Sequence, residues 1–164
     1  MKEFTIICPV REYESLSELS KEDRVLAEAA REATRTAYAP YSRYCVGAAL
    51  LLADGEIIKG SNQENAAYPS GLCAERTAVF YAGASRPGVA VKKIAVAAWQ
   101  DPGEGKPYEE GFVEQPVSPC GGCRQALAEY EHLYGDIEVI LCGRKKFHVV
   151  PSVRSLLPFS FVSF

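Results

Sequence analysis

Cys73-Ala74-Glu75-Arg76-Thr77 and Pro119-Cys120-Gly121-Gly122-Cys123-Arg124-Gln125 set the organisation of this chain, because each stands where a helix is about to begin. Residues 72–82 and 122–134 carry the helical patterns, and Gly83 and Gly135 stand at their ends. Cys73, Cys120 and Cys123 suit a tetrahedral zinc ion with one position left open. Such a position can hold a water, and Glu75, two residues from the first thiol, can move that water's proton. Three thiolates leave excess negative charge around a divalent ion. Helix N-termini, with roughly half a positive charge each, would offset part of it. Arg76 lies three positions after Cys73, so on a helix the two share a face and the guanidinium can donate to a thiolate.

Other uses of the cysteines compete with this one. A closed structural zinc site needs a fourth protein ligand, for which Cys8, Cys45, Cys142, His132 and His148 are the candidates. His132 follows Cys123 by nine residues, about half a turn out of phase on an ideal helix. A thioredoxin-like reading of Cys120-Gly121-Gly122-Cys123 leaves Cys73 and Glu75 without a use. A disulfide scaffold ranks lower, because there is no secretory pattern and 48% apolar residues over 164 positions suffice for a core.

Working outward, strands alternate with the helices. Residues 4–10 read as a strand, followed by a helix that Ser20 caps, with Val25, Leu26, Ala29, Ala30 and Ala33 at helical spacing. Ala39-Pro40-Tyr41-Ser42 reads as a turn. Residues 44–52 and 56–61 flank Asp54-Gly55 and predict a β-hairpin. Residues 91–99 and 137–142 are apolar runs of strand length, 147–150 reads as a short edge strand and 152–157 as a short final helix. Residues 101–116, rich in Pro, Gly and Glu, read as a long exposed loop. This alternation predicts an α/β sandwich around one mixed sheet.

A net charge of −3 with no basic run beyond Arg144-Lys145-Lys146 argues for a small uncharged substrate rather than nucleic acid. No stretch is apolar enough to span a membrane, and the expected setting is a reducing cytoplasm.

The chain resembles the small, homotetrameric type of cytidine deaminase from about residue 31 to residue 161. The matching stretches include Ala37-Tyr38-Ala39-Pro40-Tyr41-Ser42, Val46-Gly47-Ala48-Ala49-Leu50, Asn62-Gln63-Glu64-Asn65-Ala66-Ala67-Tyr68, both cysteine stretches and Leu156-Leu157-Pro158. The cysteine–carboxylate signature is common to zinc nucleobase deaminases. The Asn-x-Glu-Asn-Ala segment belongs to members that read a nucleoside.

The resemblance implies a three-layer α-β-α sandwich around a mixed five-stranded sheet. It further implies one zinc per subunit on Cys73, Cys120 and Cys123, with Glu75 as proton shuttle. Asn62 and Glu64 would bind the ribose hydroxyls, Tyr44 would pack beside the base and the Ala74 N–H would meet the pyrimidine. Ala66 and Tyr68 would serve a neighbouring subunit's site in a homotetramer, and Phe161 would stack on the base from yet another. Residues 1–20 then read as an N-terminal extension able to add a strand, and 21–164 as the deaminase domain. The expected reaction is hydrolysis of cytidine and 2′-deoxycytidine to uridine and 2′-deoxyuridine, in pyrimidine salvage. A deaminase of another aminopyrimidine such as blasticidin S, or a non-catalytic zinc-stapled binding module, stands as the alternative.

Overall fold

In the computed structural model, which describes residues 1–163, six strands form one mixed sheet with helices on both faces. The elements are β1 (Arg11–Tyr13), α1 (Lys21–Ala33), β2 (Cys45–Leu52), β3 (Ile57–Ser61), α2 (Ala74–Ser85), β4 (Val91–Trp99), α3 (Gly121–Tyr134), β5 (Glu138–Cys142) and β6 (Phe147–Val150). The sheet order is β1-β6-β5-β4-β2-β3, with β4 and β5 parallel and the other neighbours antiparallel. The sandwich matches expectation, but the sheet has six strands rather than five.

The sixth strand comes from the N-terminal segment, and it lies later than the apolar run predicted. Residues 4–10 form no strand; pairing with β6 begins only at Arg11, opposite Val149. The same register carried two positions further would set Pro9 against Pro151, neither of which has an N–H to continue the ladder. Because β1 covers it, β6 is not the edge strand that was expected.

Alternation along the strands divides the core in two. Ala48, Leu50, Ile94, Val96, Val139 and Leu141 pack against α2 and α3. Ala49, Ala95, Ala97 and Ile140 pack against Leu26, Ala27 and Ala30 of α1. That helix starts as predicted: the Ser20 hydroxyl accepts from the Asp23 N–H at 3.1 Å and donates to its carboxylate at 2.7 Å. Residues 101–116 are less exposed than their composition suggests. Trp99 stacks on Tyr108 at 4.8 Å between ring centroids, and Phe112 is buried in the α1-side core. The predicted final helix is reduced to a single 3₁₀ turn, Val153–Ser155. Helix α2 runs through Gly83, where a Cβ would lie 3.2 Å from Cζ of Tyr130, so tight packing on α3 rather than termination accounts for that glycine.

Gly60 of β3 lies directly beneath the first turns of α2. A Cβ there would stand 2.6 Å from the Ala74 carbonyl oxygen and 2.6 Å from the Ala78 nitrogen. Since both obstacles are backbone, Gly60→Ala must push the helix off the sheet, at a cost of about 1–3 kcal/mol. Ala74 adjoins Cys73, so zinc retention should fall along with the denaturation midpoint. An unchanged midpoint and unchanged zinc content would show that α2 does not rest on this residue.

Candidate active site

Cys73 is the N-cap of α2, Cys120 the N-cap of α3, and Cys123 sits in the first turn of α3. The fold thus brings two helix N-termini to one point, as the sequence predicts. Cys73 and Cys120 place their sulfurs 3.9 Å apart, Cys120 and Cys123 theirs 3.5 Å apart, and all three lie within 4.8 Å of one another. Zinc–sulfur bonds of about 2.3 Å at tetrahedral angles require sulfurs about 3.8 Å apart, so the cluster fits one zinc ion per chain. Among the described residues no fourth His, Cys, Asp or Glu joins it. Cys142 is buried in the α1-side core, and the His148 ring is engaged by Glu12 at 2.7 Å where β6 pairs with the edge strand β1. That arrangement suits an open coordination position.

The electrostatics follow from this convergence. A hydrogen bond with Cys123, joined by those of Arg76 and Cys120 and opposed by burial, pushes the Cys73 thiol down to about 5. The same hydrogen bond, with burial and the nearby Glu75 and Cys73 charges adding, pushes the Cys123 thiol up. The Arg76 guanidinium donates to the Cys73 sulfur at 3.7 Å, as its three-residue offset predicted. Glu75 is only 4% exposed, and burial raises its carboxyl above the usual carboxylate range, the charge on Cys73 adding to the effect.

A cavity of about 560 Å³ opens beside the cluster, bounded among others by Tyr41, Asn62, Glu64, Tyr68, Cys73 and Arg76. Asn62 and Glu64 therefore do share a site with the first thiol. Tyr44, half-buried, Ala66 and Ala74 are outside the residues lining that cavity. Ala66 lies in an exposed bend and Ala74 is buried as the first residue of α2. Phe161 also lies outside it and is 65% exposed.

Two polar anchors here had no role assigned from the sequence. Gln125 holds the tail by a double bond to the Phe161 backbone, donating to its carbonyl at 2.6 Å and accepting from its N–H at 3.1 Å. Arg124 donates to the Pro119 carbonyl, the Leu156 carbonyl and the Ser118 hydroxyl, each at 2.8 Å. Their position just after Cys123 was the available signal.

Comparison with known proteins agrees with this geometry. The family described as "Cytidine and deoxycytidylate deaminase zinc-binding region" matches residues 20–134. A cytidine deaminase of Sporosarcina psychrophila is 41% identical over 140 residues, which is 85% of this chain and 90% of that protein. A cytidine deaminase of Halalkalibacterium halodurans is 37% identical over 151 residues, 85% of this chain and 94% of that one. The crystal structure of a Burkholderia pseudomallei cytidine deaminase superposes with a TM-score of 0.68 at 37% identity, over 87% of this chain and 100% of that one. The Mycobacterium tuberculosis cytidine deaminase does so with a TM-score of 0.65 at 28% identity, over 88% and 100%. This chain belongs to the cytidine and deoxycytidylate deaminase zinc-binding family.

Proposed function

We propose that this protein hydrolyses cytidine and 2′-deoxycytidine to uridine and 2′-deoxyuridine with release of ammonia, in pyrimidine salvage. The observation that carries this reading is the buried Glu75 carboxyl beside a three-thiol cluster that opens on a cavity holding Asn62 and Glu64. Sequence relatives named as cytidine deaminases support it.

Cys73, Cys120 and Cys123 hold the zinc. When bound, the ion supplies a Lewis acid that lowers the pKa of a water molecule. Glu75 accepts a proton from the attacking water and passes it to N3 of the cytosine ring. It then takes the proton left on the oxygen added at C4 and delivers it to the amino group as the C4–N bond breaks, releasing ammonia. A carboxyl whose pKa is raised by burial suits both halves of that task. Arg76 tempers the thiolate charge, and the two helix N-termini add to its effect. The Ala74 N–H, first in α2 and without an intrahelical acceptor, meets the pyrimidine. Asn62 and Glu64 read the ribose, and Tyr44 packs beside the base.

The functional unit is a homotetramer with shared sites. Ala66 and Tyr68 serve a neighbour's pocket, and the exposed Phe161 ring stacks in yet another. Exposed Phe80 and Tyr81 on α2, with Leu133 and Tyr134 on α3, are apolar surface suited to subunit contact. Residues 1–20 form an extension and 21–164 the deaminase domain, consistent with a family match that begins at residue 20. Six unbridged cysteines suit a reducing cytoplasm.

The test is ultraviolet-monitored conversion of cytidine to uridine by the purified, zinc-loaded protein. Turnover is the expected result. Its absence in folded protein with one zinc per chain would reject cytidine as the substrate.

A further inference from the structure

The two residues proposed to read the sugar are already committed to a second task. Glu64 accepts the Tyr41 N–H at 2.9 Å, the Ser42 N–H at 3.2 Å and the Ser42 hydroxyl. That hydroxyl in turn accepts the Tyr44 N–H at 3.0 Å. Asn62 donates to the Tyr44 carbonyl at 2.9 Å and accepts the Val46 N–H at 2.8 Å. Backbone bonds between Tyr38 and both Asn62 and Glu64 close the frame, at 3.0 and 2.8 Å. Within it Arg43 adopts φ 55°, a left-handed conformation that a non-glycine residue holds only when its surroundings enforce it.

Counting donors and acceptors shows what is left for a ligand. An ionised carboxylate has about four lone-pair sites, and three on Glu64 are taken by the loop. A primary amide has two donors and about two acceptor sites, and Asn62 has used one of each. The pair therefore offers the cavity two acceptors and one donor, a set that complements a vicinal diol. Removing the Ser42 hydroxyl frees one oxygen of Glu64 and lets the carboxylate rotate.

Resting on the ribose-reading assignment above, we infer that Ser42 is a positioning residue that sets how strongly this protein discriminates for the sugar hydroxyls. The Ser42 hydroxyl fixes the rotamer of Glu64 from one side and the Tyr44 backbone from the other. Its hydrogen bond, with those of the Tyr41 and Ser42 backbone, also keeps the Glu64 carboxyl below its usual range and hence ionised. Glu75 and the thiols lie outside this frame, and Tyr44, its one member assigned to the base, keeps its carbonyl bond from Asn62 when the Ser42 hydroxyl is removed.

The experiment compares native, Ser42→Ala, Ser42→Thr and Glu64→Gln proteins, all zinc-loaded. Substrates are cytidine and 2′,3′-dideoxycytidine, which lacks both hydroxyls. Ser42→Ala is expected to raise KM for cytidine about tenfold while changing kcat by less than about threefold. Its KM for the dideoxy substrate should equal the native one, and Ser42→Thr should restore native behaviour on cytidine. Unchanged KM for cytidine in Ser42→Ala, with Glu64→Gln impaired, would overturn the role of Ser42 and leave the ribose reading intact. An equal rise for both substrates would mean general loosening of the loop, and would overturn it as well. Native protein that handles both substrates alike, with Glu64→Gln unimpaired, would instead remove the ribose reading itself.

Discussion

Glu75→Gln protein carrying one zinc per chain is expected to convert cytidine at least about a thousandfold more slowly than the native protein. Glutamine keeps the size of the side chain and can still hydrogen-bond, so its pocket in the first turn of α2 should stay packed. What it lacks is a carboxylate able to take up a proton and give it back. The effect should appear in kcat rather than KM, because the loss is felt when the proton moves. Zinc content and circular dichroism, measured on the same preparation, separate lost chemistry from a lost site. Activity within about tenfold of native, with zinc retained, would mean that another group carries the proton and that the buried carboxyl serves the fold alone.

The largest expected loss of stability comes from a carboxylate at the other end of the second metal-bearing helix. Glu131, in the last turn of α3, is only 3% exposed. Its Oε2 accepts the Ile137 N–H at 3.0 Å and the Val153 N–H at 2.7 Å, and its Oε1 accepts the Arg154 N–H at 2.8 Å. One side chain thus fastens the start of β5 and the 3₁₀ turn after β6 to α3. Glu131→Ala strands these amides, two of them in buried settings, and each bond to a charged acceptor contributes about 1.5–3 kcal/mol. With partial relaxation, the net cost should be about 3–5 kcal/mol, a large share of the 5–15 kcal/mol typical of a domain. Arg154→Ala is the control: its guanidinium pairs with Glu131 and Asp136 but is 67% exposed, so the change should cost no more than about 1 kcal/mol. Denaturant titration reads both as midpoint shifts at constant m-value. A loss below about 1 kcal/mol for Glu131→Ala would show that water replaces the carboxylate.

The cysteine cluster was legible in the sequence because metal ligation demands particular residue types at helix starts, and both starts carry recognisable patterns. The sandwich was legible for a similar reason, through the alternation of strands and helices. Polar side chains that tie distant segments together are different. Ser42, Gln125 and Glu131 repeat with no period, and their partners lie 22, 36 and up to 23 positions away. A serine in a turn or a glutamate on a helix has the same appearance in sequence whether solvated or engaged. Composition misled over residues 101–116, where abundant Gly, Pro and Glu hid an aromatic insert that packs Tyr108 and Phe112 against the sheet. Segment 4–10 looked like a strand by apolar content, but pairing depends on an available N–H as much as on side chains.

That last point bears on how the molecule avoids its own kind. The outer strand β1 offers newcomers only three residues, Arg11, Glu12 and Tyr13, two of them charged. Immediately before it stand Phe4, Ile6, Ile7 and Val10, all exposed and well suited to cross-β growth. Pro9 interrupts that run next to the sheet, so another chain templating on β1 cannot zip onward through the sticky segment. One ring closes the β1 flank of the sheet against edge-to-edge polymerisation, where shortness and charge alone would leave it partly exposed.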